Sequence, residues 1–518
     1  MWRGAAVVVS LALAAGGCNF SRTRTPVPAS GGEFRVLLAA EPRTLNPLQV
    51  QDDSNMVIGQ NLFNKLVALD ADYRVIKDLA ESWEVGDRGA TYTFHLAHGV
   101  RWHDGTRFTS ADVKWTFEAL MRRSGVSTGF MSRIASVATP DDATVIVRLK
   151  EPWAPFLPYL AWAHTFILPA HRFAGTGAAS PAGEEKPAGT GPFRFVAWEA
   201  GNRIVLERNP DYFRFRPPLD RLVFRFVPNA SEEAGRLFAG GQIDFMIARP
   251  RTSEMRKLSQ QPGLIVRTRP HPARYYLAFN LRRWPWSDLR ARRAVARAVE
   301  RNRLVETSLL GYGSPAIGFY TPAISWAYNA GAQAPAYDAK AAARLWRQVR
   351  GRRPERSHSR FRLLVSINAP YREIAEELAA QLKPAGVAVE VVPLAPAAWH
   401  ERVVVKRDFD LAVANGTWGP DPDILDFRFG SRGAYQFMGY SNSKFDAPIA
   451  EGARGETLRA RAQAYARAQE ILARDLPIVP LLEHVQFYTY RAGIEGLPQL
   501  EALGLVGTGD YSLVRWTK

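Results

Sequence analysis

At 518 residues the chain is too long for one compact core, and two or three lobes are expected. Its apolar share is an ordinary 47%. Beyond the N-terminus no run of ~18 apolar residues occurs, which excludes a mature chain that crosses a membrane as a helix. The formal charge is +17, yet only 11 of the 67 basic residues are Lys, and the Arg residues are scattered through every type of segment. This is a compositional bias and not a nucleic-acid footprint.

The N-terminus carries Arg3, an apolar run over residues 5–15, then Gly16-Gly17-Cys18. A basic start, an apolar core and small residues at a cut are the parts of a secretory signal, assigned to residues 1–17. Cys18 is the only cysteine, so no intramolecular disulfide can form. It stands where a bacterial lipoprotein carries its lipid, with Ala15 at the position usually held by Leu. One acylated residue would tether an otherwise soluble protein. Residues 18–32 are rich in Thr, Pro, Ser and Gly and are expected to form a flexible tether.

Residues 34–38 begin the first strand. Asn46, Asp53 and Asn55 follow it and are candidate ligand contacts. Over residues 91–96, Tyr92, Phe94 and Leu96 alternate with Thr91, Thr93 and His95, the period of a half-buried strand. Val100 and Trp102 start a second extended run, and Asp104-Gly105 marks a tight turn. Thr109 is placed to cap a helix, with Asp112 reciprocating, and Val113, Phe117 and Leu120 form one apolar face. His95, His98 and His103 beside Asp104 do not make a metal site, because His95 and His98 fall on opposite faces of an extended chain.

Residues 175–189 form a small-residue loop that leads into Gly189-Thr190-Gly191-Pro192-Phe193. No Lys-Ser/Thr pair follows and the next element is a strand, so this is a turn and not a phosphate loop. A hairpin is predicted over 195–198 and 204–206, then a helix from Ser231 to Ala239, a strand at 243–245, a strand at 275–280 and a helix opened by Ser287.

Between 361 and 418 the pattern is β-α-β-α-β: strand 363–367, helix 371–382, strand 387–392, short helix 397–405, strand 409–414. In open α/β sheets ligands bind beyond the C-terminal strand ends. Those ends carry Tyr371 on one side and Asn415, Thr417 and Trp418 on the other. Trp418 offers a flat surface with one N–H donor, and Asp421 and Asp423 offer acceptors for a cationic ligand. Trp399 comes from the intervening helix. A last helix spans 457–476, with Leu458, Ala462, Tyr465 and Leu472 on one face, and a strand over 478–482 follows Pro477. Neither G-x-S-x-G nor HExxH occurs, so no catalytic residue, metal or cofactor is expected.

Several of these segments, in order, resemble the extracytoplasmic solute-binding proteins of peptide- and nickel-type ABC importers. The segments are 41–48 (EPRTLNPL), 62–67 (LFNKLV), 78–120, 189–193 (GTGPF), Asn209-Pro210-Asp211-Tyr212, Asp288 with Arg290, Arg293 and Ala294, and Pro477-Ile478-Val479-Pro480. The resemblance spans about residues 34–511. It implies an α/β, two-lobed periplasmic-binding-protein type II fold with an extra satellite subdomain. Lobe I would comprise 33–67, 190–270 and 489–518, the satellite 68–189, and lobe II 271–488. It further implies a peptide or other small-molecule ligand, an ABC permease with its ATPase as partners, a periplasmic or surface location, and a monomer. Peptide receptors of this kind carry W-G-x-D-x-x-D-P, whose first Asp pairs with the peptide's α-amino group. Here Trp418-Gly419-Pro420-Asp421-Pro422 is shorter, Asp421 matches the later Asp, and the amine-binding Asp is missing. Oligosaccharides, opine-like compounds, metal chelates and modified peptides stay open beside peptides. An exported hydrolase, or a sensor or chaperone on the same fold, is the alternative.

Overall fold

The computed structural model describes residues 31–517, apart from 39, 50–52, 71–72, 123–128, 163–164, 174–185, 228–229, 248–251, 353–359, 369 and 498–509. The signal segment, Cys18, nearly all of the tether and most of the 175–189 loop lie outside the described residues.

Ten strands form one mixed sheet, in the order Val389–Leu394, Phe361–Ser366, Leu411–Thr417, Leu264–Phe279, Ile478–Arg491, Phe245–Ile247, Glu33–Leu38, Arg221–Phe226, Arg203–Arg208 and Phe193–Glu199. The two central strands are long and pair antiparallel from Leu264↔Arg491 to Ala278↔Ile478. Their register shifts between Pro270 and Arg274. On one side of the shift Ile478–Arg491 continues into the first lobe through Phe245–Ile247. On the other side Leu264–Phe279 continues into the second lobe through Leu411–Thr417. Arg274 and Glu483 face each other just past the shift, and Arg274 Nη2 lies 2.7 Å from Glu483 Oε1, both buried. Each lobe has its own apolar core.

The predicted β-α-β-α-β unit is present. Phe361–Ser366 pairs in parallel with both Val389–Leu394 and Leu411–Thr417, and the intervening helix is Tyr371–Leu382. The third strand runs further than expected, so Asn415 and Thr417 belong to it. Asp288, not Ser287, caps the next helix predicted, Leu289–Ala298, by accepting from the Arg290 N–H at 2.9 Å. In the helix Leu458–Asp475, Tyr465 and Leu472 are buried, whereas Leu458 is 56% exposed, because the first turn projects beyond the core.

The satellite holds a four-stranded antiparallel sheet in the order Ala80–Gly86, Thr91–Leu96, Thr144–Leu149, Ile134–Asp141. Tyr92, Phe94 and Leu96 are buried on one face, as their alternation predicts. Gly105 has φ +90°, the conformation its turn requires. The Thr109 N–H donates to Asp112 Oδ2 at 2.9 Å, and the same buried carboxylate accepts from the Ala170 N–H and Trp102 Nε1. Asp112 therefore ties three segments together.

The GTGP turn packs against the end of the helix Asp53–Leu62. A Cβ on Gly191 would lie 2.5 Å from the Leu62 carbonyl carbon, and one on Gly189 would meet the Leu62 oxygen. Half-buried His103 fastens this turn, with Nδ1 accepting from the Gly189 N–H at 3.1 Å and Nε2 3.0 Å from the Gly191 carbonyl. Burial pulls its imidazole down to about 4. His95 and His98 instead face Glu84 and Glu81, each at 3.9 Å.

Candidate ligand-binding site

The satellite and the second lobe meet along a seam. The Ala154 N–H donates to the Ala453 carbonyl at 2.8 Å, and Trp153 Nε1 donates to Asp423 Oδ2 at 3.2 Å. Glu151 pairs with Arg133 of the satellite at 3.3 Å and with Arg454 of the second lobe at 3.4 Å. The Arg133 guanidinium lies 4.7 Å over the Trp153 ring. Tyr73, from the turn between Val67–Leu69 and Val75–Lys77, reaches into the second lobe's core and is 4% exposed.

A cavity of about 400 Å³ opens on this seam, lined by Arg133, Trp153, Asp423, Asp426, Arg432 and Asp446 among others. Burial, with the negative charges of Asp421 and Asp426, pushes the Asp423 carboxyl up to about 7. Burial and Asp446 push Asp426 upward as well. In the second lobe's core, the hydroxyls of Tyr73 and Tyr320 and the indole N–H of Trp418 are buried without a protein partner. The Tyr320 hydroxyl lies within electrostatic reach of Asp421, Tyr159 and Tyr73. Buried polar groups are nearly always satisfied, so these donors, one from the satellite and two from the second lobe, are candidates for contact with a polar guest.

The residues predicted from sequence separate into two groups. Asp423 faces the cavity. Asn415 and Thr417 are half-buried at the end of their strand, and Thr417 gives its carbonyl to Arg428 Nη2 at 2.7 Å. Tyr371 packs edge-on to Tyr275 at 5.4 Å, and burial raises its pKa beyond the ordinary phenol range. Trp418 corrects the expectation of an open platform: it is 1% exposed, with guanidinium groups of Arg274 and Arg428 at 5.5 and 5.3 Å from its ring. Asp421 is a second correction. Both its oxygens accept from Arg461 Nη2 at 2.7 Å, and both residues are buried, so this carboxylate anchors the loop to the helix Leu458–Asp475.

The remaining candidates sit elsewhere. Trp399 donates to the Leu364 carbonyl at 3.3 Å and packs on the sheet. Asn55 Nδ2 donates to the Thr44 carbonyl at 2.6 Å, and Asn46 Oδ1 accepts from the Leu48 N–H at 2.9 Å. These two asparagines fasten the loop after the first strand. Asp53 opens the helix Asp53–Leu62, and its side chain lies outside the described residues. Sequence reasoning missed Tyr73, Trp153, Tyr159, Tyr320 and Arg428. They come from four separated segments, and only Trp153 stands out, as an aromatic residue in a Pro-bounded loop after a strand.

Comparison with known proteins places the chain. Residues 74–436 match the model described as "Bacterial extracellular solute-binding proteins, family 5 Middle". A probable ABC transporter periplasmic-binding protein, SapA, of Escherichia coli K12 is 28% identical over 503 residues, covering 90% of this chain and 89% of that protein. A putative ABC transporter peptide-binding protein of Brucella ovis is 30% identical over 429 residues, 77% of each. Among solved structures, the substrate-binding protein CtaP of Listeria monocytogenes superposes with a TM-score of 0.85 at 24% identity, covering 94% of this chain and all of that one. The architecture is thus the two-lobed type II binding-protein fold with a satellite subdomain, and that of a transport receptor, not an enzyme. On its matched residues, its fold and its near-complete coverage of these relatives, the chain belongs to family 5 of the bacterial extracellular solute-binding proteins.

Proposed function

We propose that this protein is the lipid-anchored receptor of an ABC importer, acting as a monomer outside the cytoplasm. It captures a peptide-like or other small polar solute between its lobes and hands it to a membrane permease driven by a separate ATPase. Lobe I comprises 33–67, 190–270 and 489–518, the satellite 68–189 and lobe II 271–488. Bending at the shifted register between Pro270 and Arg274 opens and closes the cleft. The seam cavity carries this reading. About 400 Å³ suits a small solute, its lining is polar and charged, and contacts from the satellite and the second lobe close around it. Relatives are named for peptide transport and for heme binding, and one similar structure holds agropinic acid. Within that range the missing amine-binding Asp argues against an ordinary peptide held by its amino terminus. Lipid on Cys18 supplies the anchor.

Native mass spectrometry of the purified full chain is expected to reveal a co-purified solute, and X-ray scattering a smaller radius of gyration when it is bound. Cys18→Ser should release the protein from the membrane fraction. No bound solute, together with no compaction across a library of peptides, saccharides, opines and metal chelates, would favour the sensor or chaperone reading instead.

A further inference from the structure

The second lobe contains a buried cation that no carboxylate of the described residues answers. Arg428, in the helix Ile424–Phe429, is 7% exposed. Its Nη2 donates to the Thr417 carbonyl at 2.7 Å, its Nη1 reaches only the Tyr276 hydroxyl at 3.4 Å, and its Nε has no protein partner. The charge otherwise rests on the faces of Trp418 at 5.3 Å and Tyr435 at 5.7 Å. Other buried arginines are answered differently. Arg461 holds both oxygens of Asp421, Arg274 holds Glu483 with its Nε unpartnered, and Arg292 spends all three nitrogens on backbone carbonyls, while Arg301 gives Nε and Nη1 to carbonyls inside the second lobe and leaves Nη2 unpartnered.

Position separates Arg428 from these. It lies at the C-terminal ends of the parallel strands, beside half-buried Asn415 and Thr417 and under Trp418, whose indole N–H is likewise unpartnered. Tyr159 of the satellite is within electrostatic reach of it. Desolvating a guanidinium without an anion is unfavourable, and aromatic faces offset only part of that cost. An anion arriving here would answer the charge at the strand ends.

We propose that Arg428, with the Trp418 N–H as second donor, receives the anionic end of the transported solute: a carboxylate, free or as the acid end of a zwitterion. This rests on the reading that the cleft binds a solute. Closure brings the satellite's Tyr159 over the bound group and excludes water from it.

Thermal unfolding of the full chain, freed of solute by dialysis from mild denaturant, tests the assignment. The probes are acetate, trialanine and trialanine amide. The Arg428→Met variant is expected to melt at or above the wild type without probe, because it removes an unanswered charge. Both carboxylates should raise the wild-type melting temperature and the amide should not, while Arg428→Met should respond to none of them. Trp418→Phe, which keeps the ring and loses the donor, should fold and bind trialanine about tenfold more weakly. An Arg428→Met variant that melts well below the wild type and still responds to carboxylates would make the arginine structural and overturn the proposal. Equal responses to trialanine and its amide, or no response to either carboxylate, would overturn it too. A solute found by native mass spectrometry would leave the receptor reading standing in each of those cases.

Discussion

Asp423 and His103 pull the stability of this protein in opposite directions over one pH window. Burial and neighbouring carboxylates push Asp423 up to about 7, so the folded chain holds its proton after the unfolded chain has released it. That contribution makes stability fall as pH rises from the ordinary carboxyl range to about 7. His103 is pulled down to about 4, so the unfolded chain takes up the proton first, and stability falls as pH drops from the ordinary imidazole range to about 4. Asp423→Asn keeps an acceptor for Trp153 and deletes only the first effect. Urea midpoints should show the variant more stable than wild type at pH 7.5, with a steeper loss on acidification. Superimposable pH profiles would refute the buried charge at Asp423. At this scale the sequence singled out a segment but not the different surroundings of its two carboxylates. Asp421 and Asp423 look alike in a Pro-rich loop. What separates them is Arg461, on a helix whose approach no local pattern announces.

Elements were far more legible than contacts. Alternation of Tyr92, Phe94 and Leu96, the Thr109–Asp112 cap and the parallel β-α-β-α-β unit all depend on neighbours in sequence, and the structure has them. The GTGP turn was legible as a turn, but its need for glycine was not. The limiting contact is the backbone of Leu62 and Asn61, in a different element. Gly191→Ala would place a methyl 2.6 Å from the Asn61 carbonyl oxygen, backbone that has no rotamer to yield. A loss of about 3 kcal/mol or more is expected by chemical denaturation. Gly129→Ala, with open space around its Cβ, is the matched control and should be near neutral. If both cost the same, the close approach of turn and helix is wrong.

For the molecule as a whole, the proposed closing of the seam would be an equilibrium biased by a few contacts. The Trp153 donation to Asp423 exists only while satellite and second lobe touch. A hydrogen bond to a charged acceptor contributes about 1.5–3 kcal/mol. Trp153→Phe should therefore reduce the closed population and weaken solute affinity about tenfold at pH 8, through the fraction of competent molecules. The difference should shrink below pH 7, where Asp423 carries a proton. Scattering without solute and titration of the co-purified solute give the two readouts. Identical radius and affinity in the variant would show that the contact does not hold the closed form. The residues that build this seam were the least legible of all, because Tyr73, Glu151 and Trp153 reach their second-lobe partners only through the tertiary fold.

The pairing of Arg274 with Glu483 has one more consequence. The chain enters the second lobe on one long strand and leaves it on the neighbour, and the ion pair stitches entry to exit at 2.7 Å. Adjacent strands lie about 5 Å apart. Everything between these two residues is therefore a cassette with a single narrow doorway. Exchanging that cassette between relatives should change what is captured, provided its contacts with Tyr73, Trp153 and Ala154 of the satellite are kept.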